Sequence, residues 1–477
     1  MGKRIYVLIT CFSLAGLAVW GCSDVKNSTE TKNAILKKDL LVAAEDSIPG
    51  VPSIVLSSDY WIDRVPNPDS ALMTQKEIEQ FNEENPVKGK FLLDVLKLPS
   101  SADGITIRKY LSGNADFINK ASFYITGDIP LEQSERSKIA ALTDTAGIPD
   151  TIDLKFAVML APTMGRSWPT FITLMEKPGD NEFDQNVVSE IDMGVPVAVL
   201  HTSADGLWAF IQTSMFLCWV PSNTIAIGDM KTIKQFIEAP SPLVALSERV
   251  VVYCSPEYRA AIGYLQMGKS LPIKTAGSEF YEVMVPGRGE NGMLEIQAGY
   301  IKRNADISVG YLPYTYRNFY RQCFRLLGSR YGWGGMNGDR DCSRFLINVF
   351  DCFDIHLPRN SASQAKASKA VVPLEGLDRQ TRLDFIKTLP WGICLFRMPG
   401  HIMIYLGEFE NKPYAIHDFW AWFTPSGDGY EIVHRAARVA VTDLMLGEGS
   451  QRGAYIDRLT QITIIGNFDV KYPGNNQ

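Results

Sequence analysis

The sequence predicts an α+β protein of several domains: a helical segment near the N-terminus, a β-rich middle and a mixed region at the C-terminal end. Three observations predict this. A capped helical pattern opens at Asp69-Ser70 and runs to Phe81. From about 151 to 315 short apolar runs alternate with turns. Beyond 316, a Gly-rich aromatic loop leads into Asp341-Cys342-Ser343, then an apolar helical stretch, then strand-like alternation.

The chain has 477 residues, enough for roughly three or four domains. It is 46% hydrophobic and 21% charged, the composition of a folded, soluble protein. A formal charge of −6 gives no case for nucleic-acid binding.

Residues 1–21 read as a secretory signal: Lys3 and Arg4 precede a short apolar run ending in Val19-Trp20-Gly21-Cys22. That end resembles a bacterial lipobox, which makes Cys22 the expected lipidation site. A lipid anchor there implies an address in the cell envelope, facing the periplasm or on the outer membrane. Residues 22–50 are polar, of mixed charge and without aromatics, and read as a flexible tether. Residues 51–150 read as a helical, surface-wrapping segment.

In the β-rich region, Pro196-Val-Ala-Val-Leu-His201, Leu207-Trp-Ala-Phe-Ile-Gln212 and Phe216-Leu-Cys-Trp-Val-Pro221 are expected strands. Their order resembles bacterial SH3-like (SH3b) domains, in which a Trp-Val strand follows a Trp-bearing hairpin. A second set runs through Phe280-Tyr-Glu-Val-Met-Val-Pro and Leu294-Glu-Ile-Gln-Ala-Gly-Tyr-Ile301. Two small barrels follow, over 151–238 and 239–315, with the mixed region over 316–477.

The chemistry concentrates after 330. In Asp341-Cys342-Ser343, the residues Phe345, Leu346, Val349 and Phe350 recur on one helical face, with Asp341 or Ser343 available as cap. A thiol at a helix N-terminus meets unpaired N–H groups and the positive end of the dipole, which favour thiolate. That is a ready nucleophile.

The chain has five histidines, two of them at matched strand positions. His401 opens an alternating run, Gly400-His-Ile-Met-Ile-Tyr-Leu, and His417 sits in Tyr414-Ala-Ile-His-Asp-Phe-Trp. A hairpin centred near Phe409 would set them directly opposite each other, with Cβ atoms roughly 5 Å apart. Cys342 as nucleophile, His401 as base and His417 as orienter then form a triad. Asp418 ranks second for the orienting role, because alternation points it to the other face. Of eight cysteines, five remain once Cys11, Cys22 and Cys342 are set aside. Without a C-x-x-C pair they indicate neither a disulfide framework nor a zinc site.

Over roughly 316–435 the chain resembles the NlpC/P60 cysteine peptidases, a papain-like group acting on bacterial cell-wall peptides. Tyr331-Gly-Trp-Gly-Gly, Asp341-Cys342-Ser343, Leu357-Pro-Arg-Asn-Ser-Ala-Ser-Gln364, Gly400-His401 and His417 carry the resemblance. It implies hydrolysis of the γ-D-glutamyl–diamino acid bond of peptidoglycan stem peptides, with no cofactor and no metal, by an expected monomer. It places Cys342, His401 and His417 in the triad and the Tyr331 hydroxyl near the oxyanion. Trp333, Asp341, Ser343, Arg359, Asn360 and Ser361 become substrate-binding candidates. Helix capping is the competing role for Asp341, Ser343, Asn360 and Ser361, and bracing the fold for Arg359. Segment 51–150 is similar to the N-terminal stabilising segment of some multidomain members. Their layout also implies that the first barrel narrows the cleft and selects peptides with a free N-terminal L-Ala. The alternative for the barrels is wall-binding or spacing. The alternatives for function are an amidase or acyltransferase using the same triad, zinc chemistry on Cys and His, or a non-catalytic wall-binding lipoprotein.

Overall fold

The computed structural model describes residues 48–85, 87–304, 306–426, 431–466 and 468. The signal, Cys22 and all of the tether up to 47 lie outside the described residues. Among those described, no helix is long and apolar enough to cross a membrane, which says nothing of crossing by strands. The chain divides into two compact units. One holds Lys88–Tyr311 and Gly332–Asp339; the other holds residues 48–87, Leu312–Tyr331 and residues 340 onward. The N-terminal segment read as one piece over 51–150 is therefore shared between them, parting at Val87.

In the first unit, β1 (Lys155–Met159), β2 (Thr163–Arg166), β3 (Val187–Ile191), β4 (Pro196–Thr202), β5 (Trp208–Gln212), β6 (Leu217–Pro221) and β7 (Ile225–Gly228) form one sheet. Its order is β7-β1-β4-β5-β6-β2-β3, antiparallel throughout. All of β5 is buried, for a reason found outside the barrel. Ala209 and Ile211 enter the barrel core with Val197, Cys218 and Ile225. Trp208 and Phe210 meet Ile107 and Leu111 of the helix Gly104–Lys120 on the other face. A strand covered on both sides needs no polar alternation.

The second sheet comprises β8 (Pro242–Ala245), β9 (Arg249–Tyr253), β10 (Ala261–Gln266), β11 (Ser270–Ala276), β12 (Phe280–Arg288), β13 (Leu294–Lys302) and β14 (Ile307–Val309), ordered β10-β9-β13-β12-β11-β8-β14. Val250, Val252, Leu265, Val283 and Val285 fill its core.

The loop Trp333–Gly338 is held within this same unit. Arg249 donates to the Asn337 carbonyl (2.8 Å) and to Asp339 (3.0 Å). Gln266 donates to the Gly338 carbonyl (3.1 Å) and to Glu190, which also accepts from the Tyr264 hydroxyl (2.8 Å). Gly334 and Gly335 have φ of +62° and +93°, and a Cβ at Gly335 would lie 2.8 Å from that of Glu190. Backbone conformation and close approach together demand glycine there.

In the second unit, β15 (Val371–Pro373), β16 (Cys394–Met398), β17 (His401–Phe409), β18 (Lys412–Pro425), β19 (Glu431–Asp443) and β20 (Gln461–Ile464) form a sheet ordered β15-β20-β16-β17-β18-β19. The helix Cys342–Asp351 packs on β17 and β18. Phe345, Leu346, Val349 and Phe350 are fully buried. At about 1.5–3 kcal/mol for each buried side chain, their burial outweighs the ~1 kcal/mol of a typical cap. The core face therefore anchors this helix, and the cap sets its first turn.

The sequence expectations need correcting at three places. The helix expected from Asp69-Ser70 begins at Gln75 instead: Thr74 caps it in a capping box with Glu77, and it runs Gln75–Glu84. The helix that Ser361 opens stops at Gln364, although the helix-compatible run Ser361-Ala-Ser-Gln-Ala-Lys-Ala-Ser-Lys-Ala370 continues. The Ala365 carbonyl turns instead to the side chains of Gln461 (2.5 Å) and Thr463 (2.6 Å). Finally, the β17–β18 hairpin is not centred on Phe409. Its tight turn is Glu410-Asn411, with φ of +48° and +61°, and a bulge interrupts the register between Tyr405 and Gly407.

Candidate functional site

Strand register decides how the histidines meet. Ile404 pairs with Ile416, and continuing that register sets His417 opposite Met403. His401 is thus a diagonal neighbour of His417 on the same face rather than its direct partner. The contact forms all the same: His401 Nε2 lies 2.6 Å from His417 Nδ1, with ring centroids 4.8 Å apart. On the next strand His417 pairs with Ala440, which puts Thr442 on the same face, two residues along. His417 Nε2 lies 2.9 Å from the Thr442 hydroxyl. Both His417 and Thr442 are fully buried. Phe419 stacks on the His417 ring at 4.4 Å, and Tyr455 meets it edge-on at 5.7 Å.

Cys342 opens its helix and is 8% exposed. Its sulfur accepts from the backbone N–H of Ile402, the residue after His401. Asp341 is the N-cap, accepting from the Arg344 N–H (2.9 Å) and from the Ser343 hydroxyl (2.8 Å). Arg359 grips both Asp341 oxygens (3.0 and 2.7 Å) and donates to the Ser343 hydroxyl (2.7 Å). Burial alone would raise the Asp341 carboxyl. The Arg359 charge and these hydrogen bonds outweigh it and hold the group below the usual carboxylate range.

The expected resting thiolate does not survive this environment. Burial pushes the Cys342 thiol up to about 12, and the Asp341 charge adds to the rise, against the Ile402 N–H. Burial, with the Arg458 charge second, pushes His401 down to about 3. His417 is driven well below its ordinary value, by burial first and His401 second. The pair rests as neutral thiol and neutral imidazole, and a thiolate forms only by transfer of the proton. The Tyr331 hydroxyl is pushed far up by burial and by the charges of Cys342, Asp341 and Asp418, so it stays a donor.

The remaining candidates are placed as follows. The Asn360 side chain caps the helix Ser361–Gln364 through the Ser363 N–H (2.9 Å), and Ser361 opens that helix. Gln364, not anticipated from sequence, donates to the carbonyls of Ser343 (2.8 Å) and Pro358 (3.0 Å). Trp333 lies in the loop of the first unit, edge-on to Phe183 at 5.3 Å. Asp418 is buried, paired with Val439 on β19, while the nitrogen beside His401 Nε2 belongs to His417. Thr442 was also missed. The alternation Val439-Ala-Val-Thr442 marks its face, but only the hairpin register places it against His417. Among the described residues, no three His, Cys, Asp or Glu side chains are grouped to hold a metal ion.

A thiol at the start of a helix laid on the antiparallel sheet that carries His401 is the arrangement of a papain-like domain. Comparison supplies its family: residues 328–418 match the NlpC/P60 family, and residues 169–221 match the SH3 domain of SH3b1 type. The chain carries an NlpC/P60 cell-wall peptidase domain and an SH3b domain. A gamma-D-glutamyl-L-lysine dipeptidyl-peptidase of Bacillus subtilis (strain 168) is 26% identical over 254 residues, covering 52% of this chain and 80% of the relative. The structure of an NlpC/P60 endopeptidase from Photobacterium damselae subsp. piscicida shares the fold, with a TM-score of 0.70 at 20% identity, over 85% of this chain and 96% of that one.

Proposed function

We propose that the protein is a cysteine endopeptidase hydrolysing the γ-D-Glu–diamino acid bond of peptidoglycan stem peptides, with preference for a free N-terminal L-Ala. The observation that carries the chemistry is the Cys342 thiol at the start of a helix packed on the strand of His401, met by the N–H of Ile402, with His401 Nε2 taken by His417 (2.6 Å). With Nε2 engaged, His401 Nδ1 is left to take the thiol proton. The sulfur attacks the γ-carbonyl carbon of D-Glu. The Cys342 backbone N–H and the Tyr331 hydroxyl receive the developing oxyanion. The intermediate collapses to a thioester, and His401 returns its proton to the leaving amine of the diamino acid. Water, deprotonated by His401, then hydrolyses the thioester.

The name of the Bacillus subtilis relative supports the choice of bond, and its dipeptidyl-peptidase activity supports a free amino end. Asp341, ionised beside the nucleophile, suits a cationic substrate end, with Arg359 fixing its orientation. Lipidation at Cys22 remains the proposed anchor to the envelope.

The test is incubation with L-Ala-γ-D-Glu-meso-diaminopimelate and with its N-acetylated form, with products read by mass spectrometry. Cleavage of the free-amine peptide, its loss in Cys342→Ala and little cleavage of the acetylated peptide are expected. Turnover retained in Cys342→Ala would sink the reading. Equal cleavage of both peptides would remove the amino-end preference.

A further inference from the structure

We infer that Thr442 is a positioning residue of this site, the acceptor that locks His417 in the Nε2–H tautomer and so points the His417 Nδ1 lone pair at His401. The inference rests on the peptidase reading above and extends its chain of groups by one.

Proton direction fixes the tautomer each histidine must hold. His401 can serve as base toward Cys342 only through an unprotonated Nδ1, so its own proton must sit on Nε2 and be donated to His417 Nδ1, 2.6 Å away. After taking the thiol proton, the His401 imidazolium still donates from Nε2. His417 Nδ1 must therefore be an acceptor in both states. A neutral imidazole carries one proton, so that of His417 belongs on Nε2. His417 is fully buried, and a buried N–H without an acceptor has lost its water with nothing to replace it. The hydroxyl oxygen of Thr442, 2.9 Å from Nε2, is the acceptor the structure provides. Remove it, and the tautomer with the proton on Nδ1 gains relative to the productive one. That proton would then point at His401 Nε2 and push the His401 proton onto Nδ1, where it blocks the base.

The surroundings favour this assignment. Phe419 stacked at 4.4 Å and Tyr455 edge-on at 5.7 Å hold the ring plane. Selection of the tautomer is therefore left to the groups facing its two nitrogens. Those groups are His401 and Thr442. Thr442 lies on β19, paired with Ala415. Valine there keeps the β-branched shape and strand preference and deletes only the hydroxyl; serine keeps the hydroxyl.

The experiment compares Thr442→Val and Thr442→Ser in the full chain by steady-state kinetics. In parallel, ring-15N histidine spectra report the protonated nitrogen of His417, assigned by loss of its signals in His417→Gln. Thr442→Ser should stay within about twofold of the parent. Thr442→Val should lose about tenfold in kcat with KM within twofold. The parent spectrum should show His417 protonated on Nε2, and Thr442→Val should weaken that preference. An unchanged kcat in Thr442→Val, equal losses in both variants, or a parent His417 protonated on Nδ1 overturns the assignment. The parent spectrum does not depend on either Thr442 variant folding. It can be recorded in Cys342→Ala, so a failed peptidase reading, seen as turnover retained in that variant, is distinguishable from a failed tautomer.

Discussion

At the residue scale, the site works by what it denies its groups in the free state. A cysteine at a helix N-terminus is ordinarily a candidate thiolate, and the sequence reading placed one there. The same segment carries Asp341, kept ionised by Arg359, and the fold buries the sulfur. Both effects raise the thiol and together outweigh the Ile402 N–H. The consequence is testable. Alkylation of Cys342 by iodoacetamide, followed by peptide mass spectrometry, should be slow at pH 7. It should rise about tenfold for each pH unit up to pH 10, without levelling off near ~8.5 as an ordinary thiol does. A plateau below pH 8 would show a resting thiolate and refute the neutral pair. His401 and His417 were legible in advance because they lie in strand-like runs on either side of one turn, and strand period puts a chosen face on record. Thr442 was not, because a hydroxyl in a strand carries no signal until its neighbouring strand is known.

At the element scale, what the sequence announced was periodicity, and what it concealed was termination. The helix at Cys342 and strands such as β12 and β17 follow from spacing alone. The end of the helix at Gln364 does not, because the Ala365 carbonyl is claimed by Gln461 and Thr463, almost a hundred residues on. The hairpin register slipped from the expected one because a bulge adds a residue between Tyr405 and Gly407, and bulges leave little trace in composition. The Gly-Trp-Gly-Gly run was read as part of a motif; the structure supplies its physical reason. Gly335 combines a φ of +93° with a would-be Cβ 2.8 Å from the Glu190 Cβ. Gly335→Ala should therefore cost about 1–3 kcal/mol, measured by denaturant unfolding of the transition that includes the β1–β7 sheet. Ala at Gly206, whose φ is also positive but which has nothing within 4 Å, isolates the backbone cost. Equal losses at the two positions would show that the close approach to Glu190 contributes nothing.

At the scale of the whole molecule, the mixed fold class and its β-rich region were visible in shifts of pattern, whereas the partition of the N-terminal segment was not. Trp61, fully buried against Trp391 and Tyr414, belongs with the sheet that carries His401. Ile107 and Leu111 belong with the first barrel. Nothing local to 51–150 marks that division, because the partners of both halves lie far along the chain. The two units share one electrostatic feature, histidines whose proton affinity burial lowers: His201 in the first, His401 and His417 in the second. The sign follows from linkage. Each has a folded-state value below the ordinary ~6.5 of the unfolded chain. Its contribution to stability is fully present above that value and is lost as pH falls below it, because the unfolded chain then takes up protons the folded one refuses. Asp184 in the first unit and Asp443 in the second, both raised by burial, act in the opposite sense. They offset the loss only as pH approaches the carboxylate range. Thermal unfolding followed at pH 7.5 and at pH 5.0 should therefore show both transitions moving down at the lower pH, the second unit's further because it holds two such histidines. A Tm for the second unit that is equal or higher at pH 5.0 would mean that His401 and His417 are not held neutral, and with that the neutral resting pair at Cys342 would lose its support.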